Sequence, residues 1–316
     1  MRSQAAQTRG FRHEAFFYAG NEEFLAGTVP YLEDGISAGE AVLVVLPEPR
    51  MRLVREALGA TAEAVEFWHL GDIGRNPARL ISAWQDFLLT CDSEKGVRGL
   101  GESITPGRSA AEVEECELHE LLVNLVFAKE RALTVMCPYD TSGLGDEILA
   151  GAERSHPVCA HPHGKSVSRK SVSRRYSPGA LLEGPLSPPR RPAVTMPFGK
   201  ADLAMVRHLV AQCARSAGLG TRRNEDLVLS VCEVATNSIQ HGGGKGRLHV
   251  WDEEGELVCA IRDEGRIADP LVGRQRPRPD QPSGRGLWIA NQLCDLVQIR
   301  SGAGGTEVRL RVSFGG

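Results

Sequence analysis

The chain has 316 residues, enough for two domains at about 150 residues each. Its 37 Lys and Arg against 40 Asp and Glu leave a formal charge of −3, which excludes the strong basic excess of a protein built around nucleic acid. An apolar fraction of 41% excludes a disordered chain, and no collagen or coiled-coil repeat fills its bulk.

No run of about 18 apolar residues is present to span a membrane. Residues 1–10 lack the apolar core of a secretory signal. A cytoplasmic protein is expected. The eight cysteines, at positions 91, 116, 137, 159, 213, 232, 259 and 294, are scattered, with no Cys-x-x-Cys pair. They read as mostly buried thiols in a reducing compartment, not as a disulfide framework or a zinc site.

The first half alternates strands and helices. Residues 16–18 form a short apolar strand, and residues 21–34 have helical spacing interrupted by Pro30. Residues 41–46 (AVLVVL) are a continuous, β-branched-rich run, as expected of a strand buried on both faces. Helical spacing returns at 50–58, a strand is predicted at 65–70, and an amphipathic helix at 77–89. A strand at 97–101, a long helix at 112–129 and a second buried strand at 132–137 follow. This order predicts an α/β domain over residues 11–159, with a mostly parallel sheet and flanking helices.

Pro47-Glu48-Pro49 follows the strand at 41–46 in place of a glycine-rich phosphate loop, which disfavours a P-loop NTPase. Polar residues collect instead at predicted C-terminal strand ends, where open α/β sheets bind ligands: Asn21, Glu22, Glu102, Arg108 and Cys137-Pro138-Tyr139-Asp140. Each is also an ordinary cap or turn residue. Together with His13-Glu14, Gly20-Asn21-Glu22, Gly101-Glu102 and His156-Pro157, they resemble the MEDS sensory domain of methanogens and methylotrophs over residues 11–158. The resemblance implies a signal-sensing role, with a small ligand whose chemistry is unassigned.

Residues 160–192 break the composition. They carry seven Lys and Arg against one acid, Glu183, and are rich in Ser, Pro and Gly. A tandem repeat runs Lys165-Ser-Val-Ser-Arg169 and Lys170-Ser-Val-Ser-Arg174. Such a stretch buries too little apolar surface to offset its chain entropy, so it reads as a basic flexible linker. Phosphorylation of its serines, or an acidic partner, is the regulatory alternative.

The second domain is predicted over residues 193–314. A strand at 193–198 and a helix at 202–217 lead through Gly218 and Gly220 to a helix that Thr221 caps and that runs to His241. At about 100° per residue, Asn237 lies near 40° and His241 near 80° from Glu233. These three line one edge of an apolar face that extends from about 100° to 220°. Glu and Asn one turn apart can share a magnesium-phosphate site. Strands at 247–252 and 256–262 flank a Glu253-Glu254-Gly255 turn, and Asp263-Glu264-Gly265 ends the second of them. A carboxylate there can accept a hydrogen bond from an exocyclic amine, although Asp-x-Gly is also a common turn. The polar loop at 266–283 has the length of a lid. Ser283-Gly284-Arg285-Gly286 then opens a helix at 287–296, where backbone amides can meet a phosphate. Strands at 297–300 and 306–314 close the domain.

The ordered set resembles the Bergerat ATP-binding fold, an α+β sandwich with a mixed sheet and helices on one face. Glu233-Val-Ala-Thr-Asn237-Ser-Ile-Gln-His241-Gly242 is similar to the RsbW-like and SpoIIAB-like anti-sigma factor serine kinases. The run from Arg285 to Asp295 resembles actinobacterial regulators that join this domain to a MEDS domain. The resemblance implies ATP and Mg²⁺ as cofactors, with Asn237 on Mg²⁺ and Glu233 as general base. It implies Asp263 and Gly265 at adenine, Gly284, Arg285 and Gly286 at the phosphates, and Thr306 near the base. Its partners would be a sigma factor and a STAS-type anti-anti-sigma antagonist, with a homodimer common in the family and no direct binding to DNA or membrane. One departure stands out: the family's second glycine, in Asp-x-Gly-x-Gly, is Ile267 here. The alternative is a non-catalytic ligand-sensing regulator whose nucleotide site is structural. A histidine kinase is disfavoured, because no phosphoacceptor helix pair precedes the second domain.

Overall fold

The computed structural model describes residues 10–92, 95–130, 132–162, 164–168, 178–278 and 284–314. Contacts divide the chain into two units. Met1–Gly74 and Ala83–Arg175 form the first; Arg75–Ser82 and Tyr176–Gly316 form the second. No helix among the described residues is long and apolar enough to cross a membrane. All eight cysteines are free, and five of them are buried.

The first half runs β1 (Arg12–Tyr18), α1 (Gly20–Ser37), β2 (Ala41–Leu46), α2 (Glu48–Leu58), β3 (Val65–His69), α3 (Leu70–Ile73), α4 (Ala78–Thr90), β4 (Val97–Gly101), α5 (Ala110–Val126), β5 (Leu133–Asp140), α6 (Asp146–Ser155), β6 (Val158–His161) and β7 (Gly164–Val167). The sheet order is β3-β2-β4-β5-β1-β6-β7, parallel throughout except for the β6–β7 hairpin. The apolar run of β2 is explained by its interior place between β3 and β4. Phe24, Tyr31 and Leu32 of α1 and Met51, Val54 and Leu58 of α2 cover one face. On the other, Trp84 of α4 lies against Gly99, and Cys116 of α5 donates to Ser103 O.

Two expectations change here. Pro30 does not interrupt α1, because it sits on the exposed side while Thr28, Tyr31 and Leu32 are buried. Burial of that stripe outweighs the backbone bond that proline removes. The sheet also extends past residue 159, since β7 lies within the segment predicted as linker. Further along that segment, Leu182 and Leu186 are buried. Residues 163 and 169–177, with much of the basic repeat, fall outside the described residues.

The second unit contains β8 (Val194–Gly199), α7 (Leu203–Ser216), α8 (Thr221–His241), β9 (Lys245–Glu253), β10 (Glu256–Asp263), α9 (Arg285–Leu293), β11 (Leu296–Gly302) and β12 (Gly305–Ser313). Its sheet order is β11-β12-β10-β9-β8, and every pairing is antiparallel. The mixed sheet expected from the sequence is thereby corrected. Helices α7 and α8 form a hairpin that returns the chain to the end of β8 it left, so β9 runs back beside β8. The Glu254-Gly255 and Ala303-Gly304 turns join β9 to β10 and β11 to β12 in the same sense. The α8 N-cap is Gly220, with no side-chain cap, so Thr221 is the first helical residue and not the predicted cap. Trp251, Val258 and Ala260 form a separate apolar cluster on the sheet face opposite Val250 and Cys259.

Candidate functional site

Glu233 and Asn237 lie one turn apart on α8, both partly buried. Facing them is the first turn of α9, which opens at Gly284 in the left-handed region (φ 92°). A Cβ built on Gly286 would lie 2.8 Å from Glu233 Oε2 and 3.2 Å from Asn237 Nδ2. A side chain at position 286 would displace the Glu233 carboxylate. The helix start therefore brings backbone amide N–H groups beside a carboxylate and a carboxamide. That donor set, oxygen atoms on an open first turn, suits Mg²⁺ and its phosphates. Arg285 is exposed at the same turn.

The far end of α8 meets the strand ends. Asp263, the last residue of β10, pairs with Thr306 of β12. Its Oδ2 accepts from Ser238 Oγ at 2.5 Å, and its Oδ1 accepts from the Gly265 amide at 2.8 Å. Thr306 Oγ1 donates to Gly265 O at 2.9 Å and lies 2.8 Å from Ser301 Oγ. A Cβ on Gly242 would stand 2.4 Å from Asp263 Cγ, and one on Gly265 would stand 2.8 Å from His241 O. A cavity of about 570 Å³ opens beside Asp263, Arg300, Ser301 and Thr306; Glu233 and Asn237 do not line it.

One helix thus serves two clusters. Glu233 and Asn237 meet Gly286; from the next residue to about one turn further on, Ser238 and the His241-Gly242 corner meet Asp263 and Gly265. Glu233 and His241 are separated by about 12 Å along the axis, at about 1.5 Å per residue. Ser238 and Ser301 were not singled out in the sequence. The signal for Ser238 is its place at about 140° on the helical wheel, a polar residue inside the apolar arc. Ile267, where a second glycine was expected, donates its N–H to Ser301 Oγ at 2.8 Å. Glu254 is the only non-glycine residue with positive φ among the described residues, so Ile267 holds a backbone conformation open to any residue.

Comparison with known proteins matches both halves. Residues 12–157 match the MEDS family, described as the methanogen/methylotroph DcmR sensory domain, and residues 196–312 match the histidine kinase-like ATPase domain. The chain joins a MEDS domain to a histidine kinase-like ATPase domain. It is 26% identical over 125 residues to the serine-protein kinase RsbW of Halalkalibacterium halodurans, covering 35% of this chain and 76% of that one. Among solved structures, the RsbU and RsbW domains of a Mycobacterium tuberculosis protein align at 18% identity and a TM-score of 0.30. That overlap covers 39% of this chain and 32% of the mycobacterial one. The histidine kinase AdeS of Acinetobacter baumannii aligns at 14% identity and a TM-score of 0.23, covering 40% of this chain and 70% of its own.

The MEDS domain carries its own polar cluster at strand ends. Arg50 Nη2 donates to Asp140 Oδ2 at 2.8 Å, and Arg50 Nε lies 3.8 Å from Glu102 Oε2. Arg50 Nη1 reaches Asn21 Oδ1 at 3.5 Å, and its guanidinium stacks over the Tyr18 and Phe24 rings. Tyr18 OH donates to Glu102 Oε1 at 3.1 Å, while Glu102 Oε2 is buried without a hydrogen bond. Of the polar residues predicted at these ends, Asn21, Glu102 and Asp140 come together. Glu22 is exposed, Arg108 bonds Gly74 O at 2.9 Å instead, and Cys137 belongs to a different cluster. Arg50, the organising cation, was visible in the sequence only as a residue of a helix.

Burial pushes the Glu102 carboxyl up to about 7, against the opposing pull of Arg50 and the Tyr18 hydroxyl. The folded state therefore binds this proton more tightly than the unfolded one. The stability it contributes is full below about pH 4.5 and is lost as pH rises through about 7. Glu102→Gln is expected to match the parent at pH 4 and to exceed it by about 3 kcal/mol at pH 8, read by urea denaturation at the two pH values. An equal difference at both would place the cause elsewhere.

Proposed function

We propose that the histidine kinase-like ATPase domain binds Mg·ATP and phosphorylates a serine of a STAS-type anti-anti-sigma antagonist, and that it holds an RNA polymerase sigma factor inactive while the antagonist is phosphorylated. The MEDS domain biases this choice in response to a small ligand or other signal. The observation that carries the reading is the convergence of Gly286 on Glu233 and Asn237, with Asp263, Gly265 and Thr306 gathered beside them at the C-terminal end of the same helix. The similarity to RsbW, whose name describes a serine-protein kinase, supports it.

In this reading Gly284, Arg285 and Gly286 hold the phosphates through backbone amides and one guanidinium. Asp263 accepts a hydrogen bond from the adenine amine, Gly265 leaves room for the ring, and Thr306 borders it. Glu233 takes the proton of the antagonist's seryl hydroxyl as its oxygen attacks the γ-phosphorus and the bond to the β-phosphate oxygen breaks. Mg²⁺, held through Asn237, would neutralise charge on the phosphates. The protein would act in the cytoplasm as a homodimer, without direct binding to DNA or membrane. A basic connector would join domains that begin near residues 11 and 193.

Incubation of the full chain with Mg·ATP and each candidate antagonist tests the kinase half: phosphoserine on one antagonist supports it. Ile267 in place of a second glycine favours a second reading, a regulator that binds sigma factor or antagonist without catalysis. Retained sigma-factor binding with no phosphoserine on any antagonist selects that reading.

A further inference from the structure

Four side chains from separate elements of the MEDS domain converge at one buried point on the sheet face that carries α5. His13 comes from β1, Cys137 from the adjacent strand β5, Glu120 from α5, and His156 from the residue that follows α6. Their nearest ligating atoms all lie within 4.8 Å of one another. His13 Nε2 is 3.1 Å from Glu120 Oε2 and 3.3 Å from Cys137 Sγ. His156 Nε2 is 3.4 Å from Glu120 Oε2, and Cys137 Sγ is 3.5 Å from the same oxygen.

The surrounding groups fix what these atoms offer. Asn124 Nδ2 donates to Glu120 O at 2.9 Å and to Ser155 O at 2.7 Å, which turns its Oδ1 toward His13 Nδ1 at 3.2 Å. His13 therefore carries its proton on Nδ1 and aims the Nε2 lone pair inward. His156 Nδ1 faces Ala152 O at 2.9 Å, a pure acceptor, so its Nε2 is likewise a lone pair. That Nε2 is buried and makes no hydrogen bond, on a residue that is 0% exposed. Glu120 Oε1 accepts from Ser103 Oγ, leaving Oε2 to the centre. Two imidazole lone pairs, a carboxylate oxygen and a sulfur thus point at one another. Lone pairs packed this closely repel unless a shared proton, such as that of the Cys137 thiol toward Glu120 Oε2, or a metal cation lies among them.

We propose that His13, Glu120, Cys137 and His156 form a structural zinc site in the MEDS domain. Zinc bonds of about 2.0–2.3 Å to N, O and S in a tetrahedron set ligand–ligand edges of about 3.3–3.8 Å, which the four measured separations approach within a few tenths of an ångström. Thiolate and imidazole donors exclude Ca²⁺ and Mg²⁺. Four protein ligands with no open position are the pattern of a structural site. Zn²⁺ with the Glu120 carboxylate and the Cys137 thiolate sums to zero charge, so the buried centre carries no net ion. The hydrogen bonds of His13 to Asn124 and of His156 to Ala152 O are the outer contacts that orient metal-bound histidines. The site would clamp β1, β5, α5 and the end of α6 together.

The test is metal analysis of the purified full chain after equilibration with zinc and removal of loosely held metal. The expected result is about one zinc per chain, lost in Cys137→Ser and His156→Ala. Zinc absent from the parent, or retained by both variants, overturns the proposal; so does a different transition metal held by the same residues. If the ligand variants are insoluble, two other measurements decide. Cobalt-substituted parent protein should show thiolate-to-cobalt charge-transfer absorption, and Asn124→Ala should bind zinc about 10- to 100-fold more weakly in chelator competition. Absent charge transfer, or unchanged affinity in Asn124→Ala, overturns it equally.

Discussion

Glu233→Gln is expected to lower phosphoryl transfer to the antagonist by about 100- to 10,000-fold, the usual worth of a positioned general base. The amide preserves the volume that faces Gly286, so the close approach of the α9 turn is unchanged. Affinity for Mg·ATP should stay within about threefold of the parent, because in the proposed site the phosphates are held by the α9 amides and Asn237. The loss is thus confined to the step in which the hydroxyl gives up its proton, about 3–5 kcal/mol of barrier. A quench-flow or gel measurement of phosphoserine formation at saturating ATP checks it. A rate within threefold of the parent removes Glu233 from the chemistry.

The second large effect is on stability. Gly305 opens β12 at φ 101°, and a Cβ there would lie 2.1 Å from Asp263 O, on the backbone of the paired strand. No rotamer relieves a backbone clash. Gly305→Ala combines left-handed strain with overpacking, and a cost of about 3–5 kcal/mol is expected. The neighbouring Gly304 has nothing within 4 Å of a built Cβ, so Gly304→Ala should stay within about 1 kcal/mol. Urea denaturation of the two variants side by side separates the specific contact from a general intolerance of the turn. Because Asp263 ends β10 against this turn, Gly305→Ala should also weaken nucleotide binding in whatever fraction remains folded.

The parts of the fold written in short-range pattern were legible. The AVLVVL run gave an interior strand of a parallel sheet, and the turn between β9 and β10 lay where Glu254 and Gly255 adopt positive φ. Pro30 misled because propensity is local, whereas the burial of Tyr31 and Leu32 against the sheet is not. The mixed sheet was an inheritance of the fold resemblance; β8 meets β9, and β10 meets β12, only across the helices between them, which leave no local trace of the pairing. Within the ATPase domain, the Glu233–Asn237 spacing on one helix and the glycines before α9 were readable, since each motif is continuous. The contact between them was not, because it depends on how closely α9 approaches α8. The four-residue cluster of the MEDS domain was hidden for the same reason. His13, Glu120, Cys137 and His156 are spread over some 140 residues, and scattered cysteines look like core thiols.

The central proposal is that α8 and the start of α9 form a nucleotide site, and titration of the full chain with ATP in the presence of Mg²⁺ tests it most directly. Calorimetry of the parent and of Asn237→Ala should show saturable, Mg²⁺-dependent binding in the parent and at least a tenfold loss in the variant, about 1.4 kcal/mol or more. A folded parent that binds no ATP at millimolar concentration, or an Asn237→Ala variant that binds as tightly as the parent, would contradict it.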